Sequence, residues 1–229
     1  MSGHRRAGLD SRSLAGVAVF GALSVVLTLI SQALGLNFPI VPYLQFDLGE
    51  VAILLAFFIF GPVPALIAAF IEFATLLVLG VNAAFFGPEL KLIAVLSSLL
   101  GVWIGVVAVR RMRDPTIKKA VGLGSVLGMA IRAAAMTVPN YLLIVFLYTI
   151  SGILGYVAGS FKLVGITLTD SNVLVLVLIM TAVFNALQFA FVSIVSYGIV
   201  SLPQVQSTRA AGRKPWIASY LQKKDPRVT

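Results

Sequence analysis

Five apolar blocks, Leu14–Leu34, Leu48–Leu79, Leu90–Val109, Ala120–Tyr148 and Asn172–Val200, fill most of this chain. Each is about as long as the 20 or so residues a helix needs to cross a bilayer, or longer. In hydrocarbon the backbone must satisfy its own hydrogen bonds, so blocks of this length and continuity predict helices. Composition agrees: 59% of the 229 residues are hydrophobic and 11% charged, against roughly 45–50% and about 25% in soluble domains. The expected class is an all-α integral membrane protein. One membrane domain over residues 14–201 is expected between an N-terminal tail, 1–13, and a basic C-terminal tail, 202–229. Arg5, Arg6 and Arg12 before the first block resemble the start of a signal peptide. At 21 residues, however, Leu14–Leu34 exceeds the usual apolar region of about 7–15 and suits an uncleaved first span.

The number of crossings turns on the second block, which Gly61-Pro62-Val63-Pro64 interrupts. Two prolines in three residues remove helical donors and clash with the preceding turn, leaving either one kinked span or two helices. Charge decides between them. Fourteen of the seventeen Lys and Arg residues fall in three places: the N-tail, the stretch from Arg110 to Lys119, and the C-tail from Arg209 to Arg227. Six helices put all three clusters on the cytoplasmic side, as the inside-positive bias requires; five would translocate the last two. Six transmembrane helices with both termini cytoplasmic, in the cell membrane, are therefore expected. Helices 2 and 3, about Leu48–Phe60 and Val63–Leu79, come out short, which neighbours or a cavity make tolerable. The formal net charge of +9 sits beside apolar segments, where anionic lipid accounts for it better than nucleic acid.

Charges inside the apolar blocks call for partners. Asp47-Leu48-Gly49-Glu50 fits a D-x-x-E helix cap, and a place in a ligand pocket is compatible with that. Glu72 lies about ten residues into helix 3, and Arg132 about twelve into helix 5 from the same face. That common depth predicts a Glu72–Arg132 ion pair, either a structural clamp or a proton-linked or substrate-binding one. Asn140 in the outer half of helix 5, and Asn185 with Gln188 on one face of helix 6, offer amides suited to the edge of a flat heterocycle or to interhelical bonds. Glu89 and Lys91 open helix 4, as mouth charges or as solvated loop ends.

Small residues suggest close helix approach: Ala15, Ala18 and Ala22 on helix 1, Gly101-x-x-x-Gly105 on helix 4 and Gly124-x-x-x-Gly128 on helix 5. Internal packing is the default for all three. With no cysteine and one histidine, His4 in the N-tail, no metal cluster or thiol chemistry is expected in the membrane. No G-x-x-x-x-G-K-[ST] phosphate loop is present. A pocket-bearing membrane protein without an engine points to transport or capture rather than to an enzyme.

Four stretches carry a family resemblance: "PYLQFDLGEVAILLAFFIFGPVPALIAAFIE", "AMTVPNYLLIVFLY", "VFNALQ" and, more weakly, "GPELKLIA". In that order and spacing the chain resembles the substrate-binding S component of an energy-coupling factor vitamin transporter, most nearly the riboflavin branch. The resemblance implies six helices around an outward-open pocket, lidded by the connector between helices 1 and 2. It implies a transmembrane coupling subunit and two ATPase subunits as partners, with Ala15, Ala18 and Ala22 as the docking strip. ATP is then used by the partners, and this chain needs no cofactor of its own. Tyr43, Gln45, Asn140 and Asn185 would contact the vitamin, with Asp47, Glu89 and Gln188 the further candidates. The pattern departs at Val183, Gln188 and Leu92, where the riboflavin branch usually has Pro, Lys and Asn. Riboflavin or a related heterocycle is the expected ligand.

Overall fold

The computed structural model describes residues 10–39, 41, 44–81, 86–151, 159, 161–162, 170–206 and 214–222. Among these the regular structure is helical: α1 Ser11–Ala33, α2 Gly49–Phe60, α3 Pro62–Val78, α4 Gly87–Arg111, α5 Ile117–Ser151, α6 Asp170–Val200, α7 Pro203–Gln206 and α8 Trp216–Leu221. Four helices carry stretches long and apolar enough to cross a bilayer: Ser11–Ala33, Gly87–Arg111, Ile117–Leu143 and Asn172–Val200. The apolar α2 and α3 are shorter, at 12 and 17 residues.

α2 is the centre of the bundle, and its sequence shows why. Apart from Glu50, GEVAILLAFFIF is apolar on every side, which suits a helix surrounded by protein. All of its residues from Gly49 to Phe58 are buried, and it packs against α1, α3 and α6. Gly61 ends it at φ +103°, a conformation a side chain would strain. Pro62 then opens α3 at a position where its missing N–H costs nothing. The Gly-Pro element therefore separates two helices rather than kinking one.

The α4–α5 contact rests on glycine. A Cβ on Gly101 would run into the backbone of Gly128, and one on Gly105 into the backbone of Gly124. The pairing runs in opposite directions along the two sequences, so the helices are antiparallel and backbone meets backbone. On α1, Gly16 faces Phe60 and Gly21 faces Ile71, which docks one face onto α2 and α3. The opposite face, with Ala15, Ala18, Val19, Ala22 and Val26, is exposed.

The described part of the C-terminal tail, residues 214–222, packs on the bundle. α8 closes the bundle at the α2–α3 corner, with Ile217 and Leu221 buried. Trp216 stacks on Tyr220 and Trp103 and meets Phe57 edge-on. The guanidinium of Arg110 sits 4.2 Å from the centre of the Tyr220 ring.

Candidate functional site

The connector from α1 to α2 folds back on itself at the opposite end of α2. The Phe38 amide donates to the Leu44 carbonyl (2.7 Å) and the Phe46 amide to the Leu36 carbonyl (2.8 Å). Phe38 and Phe46 pack on Phe184 of α6, with ring centres 5.6 and 5.1 Å away. Polar ties fix the base of the connector. Gln45 Nε2 donates to the Ser31 carbonyl (3.0 Å), and the Leu48 amide donates to Ser31 Oγ (2.9 Å). Gln188 grips the Asp47 backbone both ways: its Nε2 donates to the carbonyl (2.7 Å) and its Oε1 accepts from the amide (3.3 Å).

Beneath this connector lies a cavity of about 330 Å³, within the range typical of small-molecule sites. Two ion-pair groups form much of its polar wall. Arg132 of α5 and Glu50 of α2 make a fork-to-fork pair, with Nη2 donating to Oε1 at 2.9 Å and Nη1 to Oε2. Arg132 Nε donates to Asn185 Oδ1 (2.9 Å), and Nη1 also approaches Ser98 Oγ (3.5 Å). Lys91 of α4 forms the second group. It bridges Asp47 Oδ2 and Glu72 Oε1, the latter at 2.7 Å, and donates to Thr28 Oγ1. Thr28 lies 2.9 Å from both Asp47 Oδ1 and Glu72 Oε1, so its single hydroxyl proton serves one acceptor at a time. Gly49 makes this crowding feasible, because a Cβ there would collide with Thr28 and Glu72.

The expected Glu72–Arg132 pair does not form: Arg132 bonds to Glu50, and Glu72 to Lys91. Equal depth was a sound reading of one coordinate, but α3 packs against α1, α2 and α4, whereas α5 packs against α4 and α6. The helix cap falls on Leu48, which makes no side-chain bond, so the D-x-x-E box is not formed. Asp47 Oδ1 accepts from the Gly49 amide (2.7 Å), while Glu50 turns away from the helix end to Arg132.

Of the expected ligand contacts, Gln45, Asp47, Asn140 and Asn185 line the cavity. Asn140 Nδ2 donates to the Met136 carbonyl (2.7 Å), whereas its Oδ1 is buried with no partner. Asn185 Nδ2 donates to the Thr181 carbonyl (2.9 Å). Tyr43 lies outside the described residues. Gln188 is not in the wall; both ends of its amide are spent on Asp47, which makes it a latch for the connector. Glu89 is half-buried beside the lining residues Pro88 and Leu90 but is not one of them. Lys91, Arg132 and Glu50, conspicuous in the sequence as charges beside or within apolar blocks, are wall residues too. Thr28 also lines the cavity, and an uncharged hydroxyl in an apolar helix gives no such signal.

Residues 12–200 match the family model described as "ECF transporter, substrate-specific component". Neither the curated proteins nor the solved structures hold a match to the chain. Proteins of that family are integral membrane, substrate-binding transport subunits rather than enzymes, and they work with the transporter's coupling and ATPase subunits.

Proposed function

Since this chain belongs to the family of ECF transporter substrate-specific components, we propose that it captures riboflavin or a closely related flavin from outside the cell for ATP-driven uptake. One observation carries the reading. Gln45, Asp47, Asn140 and Asn185, drawn from the connector and two distant helices, converge on a single cavity beneath that connector. The free acceptor on Asn140 and the aromatic face of Phe184 suit a flat heterocycle bearing N–H and O–H donors. In this reading the chain crosses the membrane six times, α2 and α3 completing the count, with both ends in the cytoplasm and the connector outside. Ala15, Ala18 and Ala22, exposed along α1, form the strip on which the transmembrane coupling subunit packs.

The test is flavin binding by the purified protein in detergent. Riboflavin should co-purify or, when titrated, lose its own fluorescence at a stoichiometric endpoint. Asn140→Ala and Asn185→Ala should weaken binding at least tenfold. A colourless protein that leaves flavin fluorescence unchanged would refute the assignment. Tryptophan emission is the poorer readout, because Trp103 and Trp216 stack on each other at the far end of the bundle.

A further inference from the structure

The charges around the cavity do not cancel. Arg132 and Glu50 pair one to one. Lys91 is shared by two carboxylates, Asp47 in the wall and Glu72 one layer behind it. With all five side chains ionised, three acids against two bases leave one negative charge in excess. Neighbouring sequence does not correct it: Glu89 adds another acid, the α5–α6 connector holds one base, Lys162, and Asp170 opens α6. Residues 34–46, 82–85 and 163–169 carry no charge.

Donor accounting points the same way. An ammonium has three N–H groups, and those of Lys91 go to Asp47, Glu72 and Thr28. Four of the five N–H groups of Arg132 are taken up by Glu50, Asn185 and Ser98. Lys91 has no N–H left for an anion, and Arg132 keeps one while its charge is already matched by Glu50. What stays open is acceptor capacity, above all the unpartnered Asn140 Oδ1.

We infer that the cavity rejects anions: its ligand is an uncharged or cationic, donor-bearing heterocycle without a phosphate or carboxylate, and Glu72 sets that preference electrostatically without touching the ligand. The inference deepens the flavin reading and rests on it for its first probe pair. One unit charge acting on another across roughly 10 Å, at an effective dielectric of about 20, changes affinity on the order of tenfold.

The experiment measures the ratio of affinities for riboflavin and riboflavin 5′-phosphate in the full chain and three variants. The native protein should favour riboflavin at least tenfold. Glu72→Gln, which removes the excess charge, should narrow that ratio about tenfold, and Lys91→Gln, which adds to it, should widen it. The double variant Lys91→Gln/Glu72→Gln restores the native charge count and should restore the native ratio. It also keeps the inference testable where either single variant fails to fold. Equal binding of both flavins by the native protein overturns the inference. So does a ratio that stays constant across the variants, as a purely steric exclusion would give, or one that Glu72→Gln leaves unchanged, as a proton held on Glu72 would give. Binding of neither flavin refutes the flavin assignment instead, and the same ratio is then taken with thiamine and its monophosphate. A chain that takes neither member of either pair refutes both.

Discussion

A guanidinium buried to 3% exposure is tolerable in the middle of a bundle only while its partners stay in place. Arg132 has them on three sides, from Glu50 of α2, Asn185 of α6 and Ser98 of α4. Arg132→Ala leaves Glu50 charged and unpaired, and we expect a loss of about 3–5 kcal/mol. Arg132→Met combined with Glu50→Gln removes both charges at similar volume and should recover most of that loss. Thermal unfolding in detergent, followed by circular dichroism, checks both; a single variant as stable as the native chain would show that this pair does not hold the bundle together. Sequence showed that Glu72 and Arg132 had to be neutralised, because the penalty depends only on depth in an apolar run. It could not show by what, since the partner depends on which face of each helix turns inward. Lys91 illustrates the same limit: two residues after Glu89 at a helix start it suited a mouth charge or a solvated end alike, and folding places it between Asp47 and Glu72.

Helices meet here through residues with nothing to pack. Gly101 and Gly105 of α4 lie against the backbone of Gly128 and Gly124, so any side chain there must push two main chains apart. Gly105→Leu is therefore expected to separate α4 from α5, to cost at least about 2 kcal/mol and to weaken ligand binding, because Lys91 and Arg132 reach the cavity from those two helices. Gly122→Ala, at a site with open space, is the matched control and should change neither quantity. Ligand affinity and melting temperature measured on both variants decide this, and a Gly105→Leu protein that binds normally would show that the glycine seam does not position the site. The spacing of these glycines was legible in the sequence, as was the α2–α3 corner, because glycine and proline act through local backbone chemistry. The role of Gln188 was not. An amide on a helix face has the same sequence signature whether it meets a ligand or, as here, clamps the backbone of Asp47.

The molecule as a whole presents two unlike ends. One is the cavity under the α1–α2 connector; the other is the α2–α3 corner sealed by α8, where Trp216 packs over Gly61. Class and helix order were legible because hydropathy and charge are one-dimensional properties. The seal was not, since Trp216 and Tyr220 sit in a basic stretch whose composition suits an interfacial tail. Between the ends runs the outer face of α1, where Ala18 and Ala22 leave a smooth strip among Val19, Leu23 and Val26. That face turns away from the cavity wall, which α1 reaches through Thr28, Ser31 and Gln32. Binding and docking should therefore separate. Ala18→Phe should leave ligand affinity of the isolated protein within about twofold, because the substituted face is exposed among the described residues. In the assembled transporter the same substitution should abolish uptake, since a bulky ring there holds a facing helix away by more than the close approach that small residues permit. Co-purification with the coupling subunit, measured beside uptake, distinguishes a failure of assembly from a slower cycle. Normal uptake by the Ala18→Phe protein would exclude this face of α1 as the contact and direct attention to the α2–α3 corner instead.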